Sequence, residues 1–269
     1  HRRMAFAWPA LPSPGAAWRA RWRRWWWQRL TRTDSLTLTQ RNVYILPTRA
    51  GWMLALTLLV LLIASINFQL NLGYLLTFLL AGHETTALLL AWCWDLLAHH
   101  PMAQSILQAE VDSVLGDRLP TPEDIQKLPY TRAIVKETLR MRPPAWAMGR
   151  EAVQDCEIGG QFIPAGSTVI LSQWVTHHDA RFYDEPLQFC PERWFDLEGT
   201  STPRYSFFPF GGGNRVCIGE HFAMTEAIAI LAVVARRWNI SPAQRELATP
   251  KPSVTLRPEK DLNVIVTKR

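Results

Sequence analysis

Close cysteine pairs are missing from this chain, and so is any CxxC spacing. The four cysteines, Cys93, Cys156, Cys190 and Cys217, are scattered through 269 residues. That leaves a structural zinc site without support and argues against a disulfide framework. It favours one cysteine acting as a ligand or nucleophile, with the others as inert core thiols. No internal repeat is present. Acid is scarce at one end: residues 1–50 hold ten Arg against one carboxylate, Asp34, while the remainder carries 19 basic and 22 acidic residues. The net charge of +6 therefore belongs to the N-terminal arm.

That arm, residues 1–42, is broken early by Pro9, Pro12 and Pro14, and six of the thirteen Trp fall between Trp8 and Trp27. Over residues 16–30 Trp alternates with Arg, as in an interfacial segment with indoles at headgroup depth and guanidinium groups on anionic lipid. A disordered basic tail and a nucleic-acid arm are the alternatives; no nucleic-acid partner is expected. The membrane reading is favoured by the apolar run C-terminal to the arm. Residues 51–66 are sixteen positions without a charge, at the short edge of the roughly 17–25 that span a bilayer. Residues 43–46 can lengthen the run, Trp52 can sit at an interface, and the Arg-rich flank predicts a cytoplasmic N-terminus. A buried soluble helix is the alternative.

Residues 67–71 (NFQLN) form a polar break, after which residues 72–82 resume the apolar run and meet His83 and Glu84. Extending a span through Glu84 would place an acid near the bilayer centre, at a cost of about 3 kcal/mol. The second segment is instead expected to begin a buried helix that runs to His100 and is ended by Pro101. Beyond Pro101 the pattern is that of a soluble protein with helices, two hairpin-like strands and a Pro/Gly-rich loop.

The chemistry concentrates in Phe210-Gly211-Gly212-Gly213-Asn214-Arg215-Val216-Cys217-Ile218-Gly219. Three glycines let the backbone approach a flat ligand closely. Cys217 then opens an apolar helical pattern over residues 222–234. A thiol at a helix N-terminus has its pKa lowered, which makes the thiolate available as a ligand. Arg215 would face an anionic group such as a propionate. A structural cysteine beside a Gly-rich turn would not require Phe, Gly, Arg and Gly at these offsets.

This string resembles the haem-binding loop FxxGxRxCxG of the cytochrome P-450 family at every fixed position: Phe210, Gly213, Arg215, Cys217 and Gly219. The resemblance implies heme b (iron protoporphyrin IX) with Cys217 as its thiolate ligand, which favours O–O cleavage. It also implies a propionate contact from Arg215 and shielding of the sulfur by Phe210.

Three further motifs occur in the family's order. Lys136-Glu137-Thr138-Leu139-Arg140 puts Glu137 and Arg140 on one helix face; alone this is a common surface pair. Pro191-Glu192-Arg193-Trp194 resembles the PERF segment with Trp for Phe. The implied structural triad is Glu137, Arg140 and Arg193. Ala81-Gly82-His83-Glu84-Thr85-Thr86 resembles the oxygen-activation segment of the distal helix, in which Thr85 would hydrogen-bond dioxygen and Glu84 would serve the proton relay. A Thr hydroxyl bonding back to the Ala81 carbonyl would bend the helix. A zinc HExxH site is excluded because position 87 is Ala. Residues 157–162 read as a tight hairpin, with a second turn at Pro164-Ala165-Gly166 before a strand over Thr168–Leu171. The resemblance implies a second propionate contact from Arg150. His177 and His178 precede Asp179 at an expected helix start, where a surface turn is preferred over a metal pair.

The resemblance runs from Ala81 to the C-terminus, about 189 residues and less than half of a full-length member. It implies a truncated chain without the lid helices that shape a substrate pocket. Residues 41–51, the span and residues 71–82 resemble bacterial membrane proteins of unknown function with two spans and a von Willebrand-like part. A junction is expected at residues 79–82, which suit both families. The expected fold is mainly α with small β-sheets, a partial cytochrome P-450 fold after a transmembrane segment. The expected parts are a basic arm (1–42), an apolar membrane segment (43–80) and a haem-binding part (81–269). The implied function is a membrane-associated, bacterial-type monooxygenase with its haem part in the cytoplasm. It would take a hydrophobic small molecule and electrons from a ferredoxin or flavoprotein. The alternative is a non-catalytic membrane fusion retaining a partial haem fold.

Overall fold

Helix α1, Arg49–His99, opens the part of the chain that the computed structural model describes, residues 49–196 and 203–269, with side chains from residue 56 onward. The basic arm, residues 43–46 and the side chain of Trp52 lie outside the described residues. The chain divides into two units, residues 1–73 and 74–269.

In the first unit, residues 56–73 of α1 expose their apolar side chains throughout, Leu61, Leu62 and Phe68 among them. The polar break expected at residues 67–71 does not interrupt the helix. The Asn67 amide satisfies itself by donating to the Ile63 carbonyl one turn back (2.8 Å), and no proline removes a backbone donor. Among the described residues, α1 is the one helix long and apolar enough to cross a membrane.

In the second unit, residues 74–80 of α1 are exposed as well, and full burial begins only at Thr86 and Leu89. This corrects the expectation of a helix buried from residue 72: residues 72–83 stay exposed, and Glu84 and Thr85 are half-buried. The helix stops at His99 because Pro101 disfavours helical backbone at His100. The same proline then occupies the first turn of α2, Pro101–Leu115, where its missing N–H costs nothing.

The core of this unit is helical. Leu89, Cys93, Leu96 and Leu97 of α1 pack with Leu107 and Val111 of α2. They also meet Ile134 and Val135 of a later helix and Ile228 and Leu231 of the last one. Between them lie the short α3, Pro122–Ile125, and α4, Pro129–Met141. Glu110 of α2 accepts from the Tyr130 and Thr131 amides (2.7 and 2.9 Å), capping α4 and fixing it to α2. Strand β1, Met148–Glu151, pairs antiparallel with β4, Thr168–Leu171. The predicted hairpin is present as β2, Cys156–Ile158, and β3, Gln161–Ile163, joined by Gly159 and Gly160 at φ 58 and 79. Both positions are left-handed, which explains the paired glycines. The short helices α5, Gln173–His177, and α6, Arg193–Asp196, precede α7, Glu220–Ala235, which buries Ala227, Ile228, Leu231, Ala232 and Ala235. Strands β5, Trp238–Pro242, and β8, Val264–Lys268, pair across β6, Pro250–Pro252, and β7, Leu256–Pro258.

Candidate active site

The cysteine loop is shaped by its glycines. Gly211 and Gly213 have φ of 77 and 66, which side-chain-bearing residues rarely adopt. A Cβ on Gly212 would stand 2.5 Å from the ring of Tyr205. A 3₁₀ turn over Gly213–Arg215 comes next, and the Cys217 amide closes the loop by donating to the Phe210 carbonyl (3.0 Å). Phe210 packs against the hydrophobic core, and Cys217 is the exposed cysteine of the four. Against expectation, Cys217 lies ahead of α7 rather than in its first turn, because extended backbone at Val216 carries the chain past it and Gly219 is the N-cap. Of the other thiols only Cys93 is the expected core thiol; Cys156 and Cys190 are half-buried. Burial pushes Cys93 up to about 12, with its thiol donating to the Thr138 hydroxyl at 3.3 Å, and burial also raises Cys190.

Beneath the loop, Glu137 and Arg140 of α4 are fully buried. Their contact is bidentate: Arg140 Nε and Nη2 donate to the two Glu137 oxygens at 3.0 and 2.8 Å. Arg193 Nε reaches the same carboxylate at 3.0 Å. The rest of the Arg140 fork serves the carbonyls of His177 (2.9 Å), Pro186 (2.6 Å) and Gln188 (3.0 Å). The predicted triad is thus assembled, and two donors that the sequence did not reveal join it. The Cys190 amide and the Trp194 indole N–H each donate to Glu137 at 3.0 Å. Trp in place of Phe adds a bond that a phenyl ring could not make.

On α1, Thr85 Oγ1 donates to the Ala81 carbonyl at 2.7 Å. The neighbouring Glu84 turns to the C-terminal strands, where its Oε1 accepts from the Thr255 hydroxyl (2.7 Å) and Arg257 Nη2 (2.6 Å). Those two bonds hold its carboxyl below the usual range. Arg150 is exposed on β1, and Met148 on the same strand brings its methyl to 3.2 Å from where a Gly211 Cβ would stand. β1 therefore lies against the cysteine loop. Arg215 is exposed. No hydrogen bond or ion pair among the described residues joins Arg150, Arg215 or Cys217 to the Glu84–Thr85 segment.

The two histidines do not sit on a surface turn. Ser172, not Asp179, caps the local helix by accepting from the Val175 amide (3.2 Å), so His177 and His178 fall at its C-terminal end. His177 is fully buried, and no group of three metal-ligating side chains occurs among the described residues.

A pocket of about 410 Å³ opens beside Cys217, between Leu139, Phe207, Phe210 and Met224, with Arg132 and Lys136 at its edge. A groove of about 860 Å³ runs along Leu79, Ala87, Leu88 and Ala91 toward Arg257 and Leu262.

A helical core that holds a glycine-walled cysteine loop near a buried ion network is the arrangement that the resemblance to the cytochrome P-450 family implies. The family model for Cytochrome P-450 matches residues 72–266, and the chain belongs to that family. The match begins upstream of Ala81. The chain is 43% identical over 181 residues to cyclooctatin synthase of Streptomyces melanosporofaciens, covering 67% of this chain and 39% of the relative. To cyclooctat-9-en-7-ol 5-monooxygenase of the same organism it is 40% identical over 171 residues, covering 64% of this chain and 37% of the relative. A plant relative, protein LUTEIN DEFICIENT 5 of Arabidopsis thaliana, is 37% identical over 205 residues, covering 72% of this chain and 33% of the relative. The chain thus spans about two-fifths of the length of the curated relatives it matches. The family implies a cysteine-ligated haem, and the donor set fits one: a single exposed thiol, no rival ligand cluster among the described residues, and exposed guanidinium groups in the loop, Arg215, and on the strand against it, Arg150.

Proposed function

We propose that this chain is the haem-binding part of a monooxygenase that oxidises a hydrophobic small molecule, with Cys217 as the thiolate ligand of heme b. The observation that carries this reading is the exposed Cys217 on a loop whose left-handed positions are held by glycine. One relative carries the name of a 5-monooxygenase, which supports it. Bound haem with a thiolate ligand would supply reductive activation of dioxygen.

The chain's own residues would do the rest. Arg215 in the loop and Arg150 on the adjoining strand are exposed cations that suit the two propionates. Phe210 lines the same pocket as Cys217 and would cover one side of the sulfur once haem is bound. Thr85 Oγ1 holds a proton that it can pass on while accepting another, with the Ala81 carbonyl fixing its orientation. Glu84 is paired with Arg257, so proton delivery through its carboxylate requires that pair to open. The side of the groove formed by Leu79, Leu80, Ala87, Leu88 and Ala91 suits a hydrocarbon skeleton. Arg132 and Lys136 outnumber the one acid, Glu220, around the pocket next to Cys217, which suits an acidic electron donor such as a ferredoxin or a flavoprotein. The exposed apolar helix over residues 56–80 suits a bilayer, and the bacterial relatives fit a cytoplasmic haem part.

Titrating the full chain in detergent with hemin tests the proposal. One-to-one uptake, then dioxygen consumption that depends on a reduced ferredoxin, is the expected result. Absence of uptake would favour the second reading, a membrane protein that retains part of a haem fold without its chemistry.

A further inference from the structure

One buried group is used by neither the ion network nor the cysteine loop, yet it touches both. His177, the last residue of α5, is completely buried. Its main-chain carbonyl accepts from Arg140 Nη1 at 2.9 Å. Its side chain faces the other way, and Nε2 lies 3.0 Å from the amide nitrogen of Phe208. The ring is wedged between Phe207 and Phe208, with centroids 5.2 and 5.4 Å away. Phe208 stands two residues before Phe210, whose carbonyl receives the Cys217 amide. A continuous chain of contacts therefore runs from Glu137 through Arg140 and His177 to the segment that begins the cysteine loop.

The chemistry of this contact is directional. A backbone N–H can only donate, so Nε2 must accept, and the proton of the ring resides on Nδ1. Burial and the nearby Arg140 charge keep the imidazole neutral, lowering it to about 3, so this acceptor persists through neutral and mildly acidic conditions. Loss of the acceptor would leave the half-buried Phe208 amide without its partner.

We infer that His177 is a positioning residue that ties the Glu137–Arg140–Arg193 network to the cysteine loop by accepting the Phe208 amide hydrogen bond, and so sets the place of Cys217. Its consequence for the metal rests on the haem-thiolate reading; the hydrogen bond itself does not.

The test has two arms on the full chain in detergent. In the first, without haem, ring and amide nitrogen NMR of the ¹⁵N-labelled protein reads the His177 tautomer and the coupling across the N–H···N bond. Backbone exchange of Phe208 is measured beside it for wild type, His177→Gln and His177→Leu. The expected result is an unprotonated Nε2 coupled to the Phe208 amide. Phe208 exchange should rise about tenfold in His177→Leu, and His177→Gln, whose side-chain oxygen can stand where Nε2 does, should largely restore protection. In the second arm the hemin-loaded proteins are reduced under carbon monoxide. His177→Leu is expected to shift the absorption from the thiolate to the neutral-thiol position, and His177→Gln to retain the thiolate band. A proton on Nε2, or equal exchange in all three proteins, overturns the proposal. So does equal damage in both variants. If the wild type takes up no hemin, the haem reading fails, and the first arm still decides whether His177 holds the loop.

Discussion

Arg140 uses every arm of its fork, two on the buried Glu137 and the others on three carbonyls. Replacing it with alanine leaves the Glu137 carboxylate buried with fewer donors, and we expect a loss of about 3–5 kcal/mol in urea denaturation. Arg140→Lys should recover little, because one ammonium cannot serve positions that a planar fork spans. His177 governs a second residue-scale outcome. Its folded value near 3 lies below the unfolded value of about 6.5. Between those limits the unfolded chain binds the extra proton, so stability rises with pH and is lost on acidification below about 6.5. The slope reaches about 1.4 kcal/mol per pH unit. His177→Gln should flatten that share of the slope in denaturation curves taken from pH 4 to 7. Glu137, Arg140, Arg193 and Cys217 were legible in the sequence because each lies in a short string with fixed internal spacing. His177 was not legible. Its acceptor role depends on Phe208, 31 residues away, and no local spacing reports such a partner.

Elements were read well where backbone chemistry decides them. Gly159-Gly160 announces a two-residue hairpin because both sites are left-handed, and Pro101 ends one helix and begins the next. The polar break at residues 67–71 was misleading, because asparagine and glutamine weaken a helix without stopping it and Asn67 bonds within its own turn. The position of Cys217 ahead of α7 also escaped, since Gly219 and not the cysteine is the cap. Two predictions belong to this scale. Gly213→Ala places a side chain at φ 66, where the surroundings are open but the backbone is strained. It should cost about 1–2 kcal/mol by thermal denaturation. If residues 56–80 of α1 lie in a bilayer, Leu61→Arg and Leu70→Arg should each oppose insertion by about 2.5–3.5 kcal/mol. The double variant should then become carbonate-extractable from vesicles that retain the wild type. Equal extraction of both would contradict a span.

For the whole molecule, the family is fixed by the match over residues 72–266, whereas catalysis depends on whether the sulfur presented by the loop coordinates iron. The mainly helical fold with small two-stranded sheets matches the sequence closely in the second unit, because its motifs sit on the elements that build the core. Substrate choice was not legible, since the proposed groove sets leucines and alanines of α1 beside His83, Glu84 and the charged residues 257 and 259–261, a mixed lining that no short sequence string reports. The most direct measurement is the carbon-monoxide difference spectrum of reduced, hemin-loaded chain beside Cys217→Ser. The wild type should show the red-shifted thiolate band and the variant should lose it. The same spectrum from both proteins, or a nitrogen-ligand spectrum from the wild type, would contradict a thiolate at Cys217.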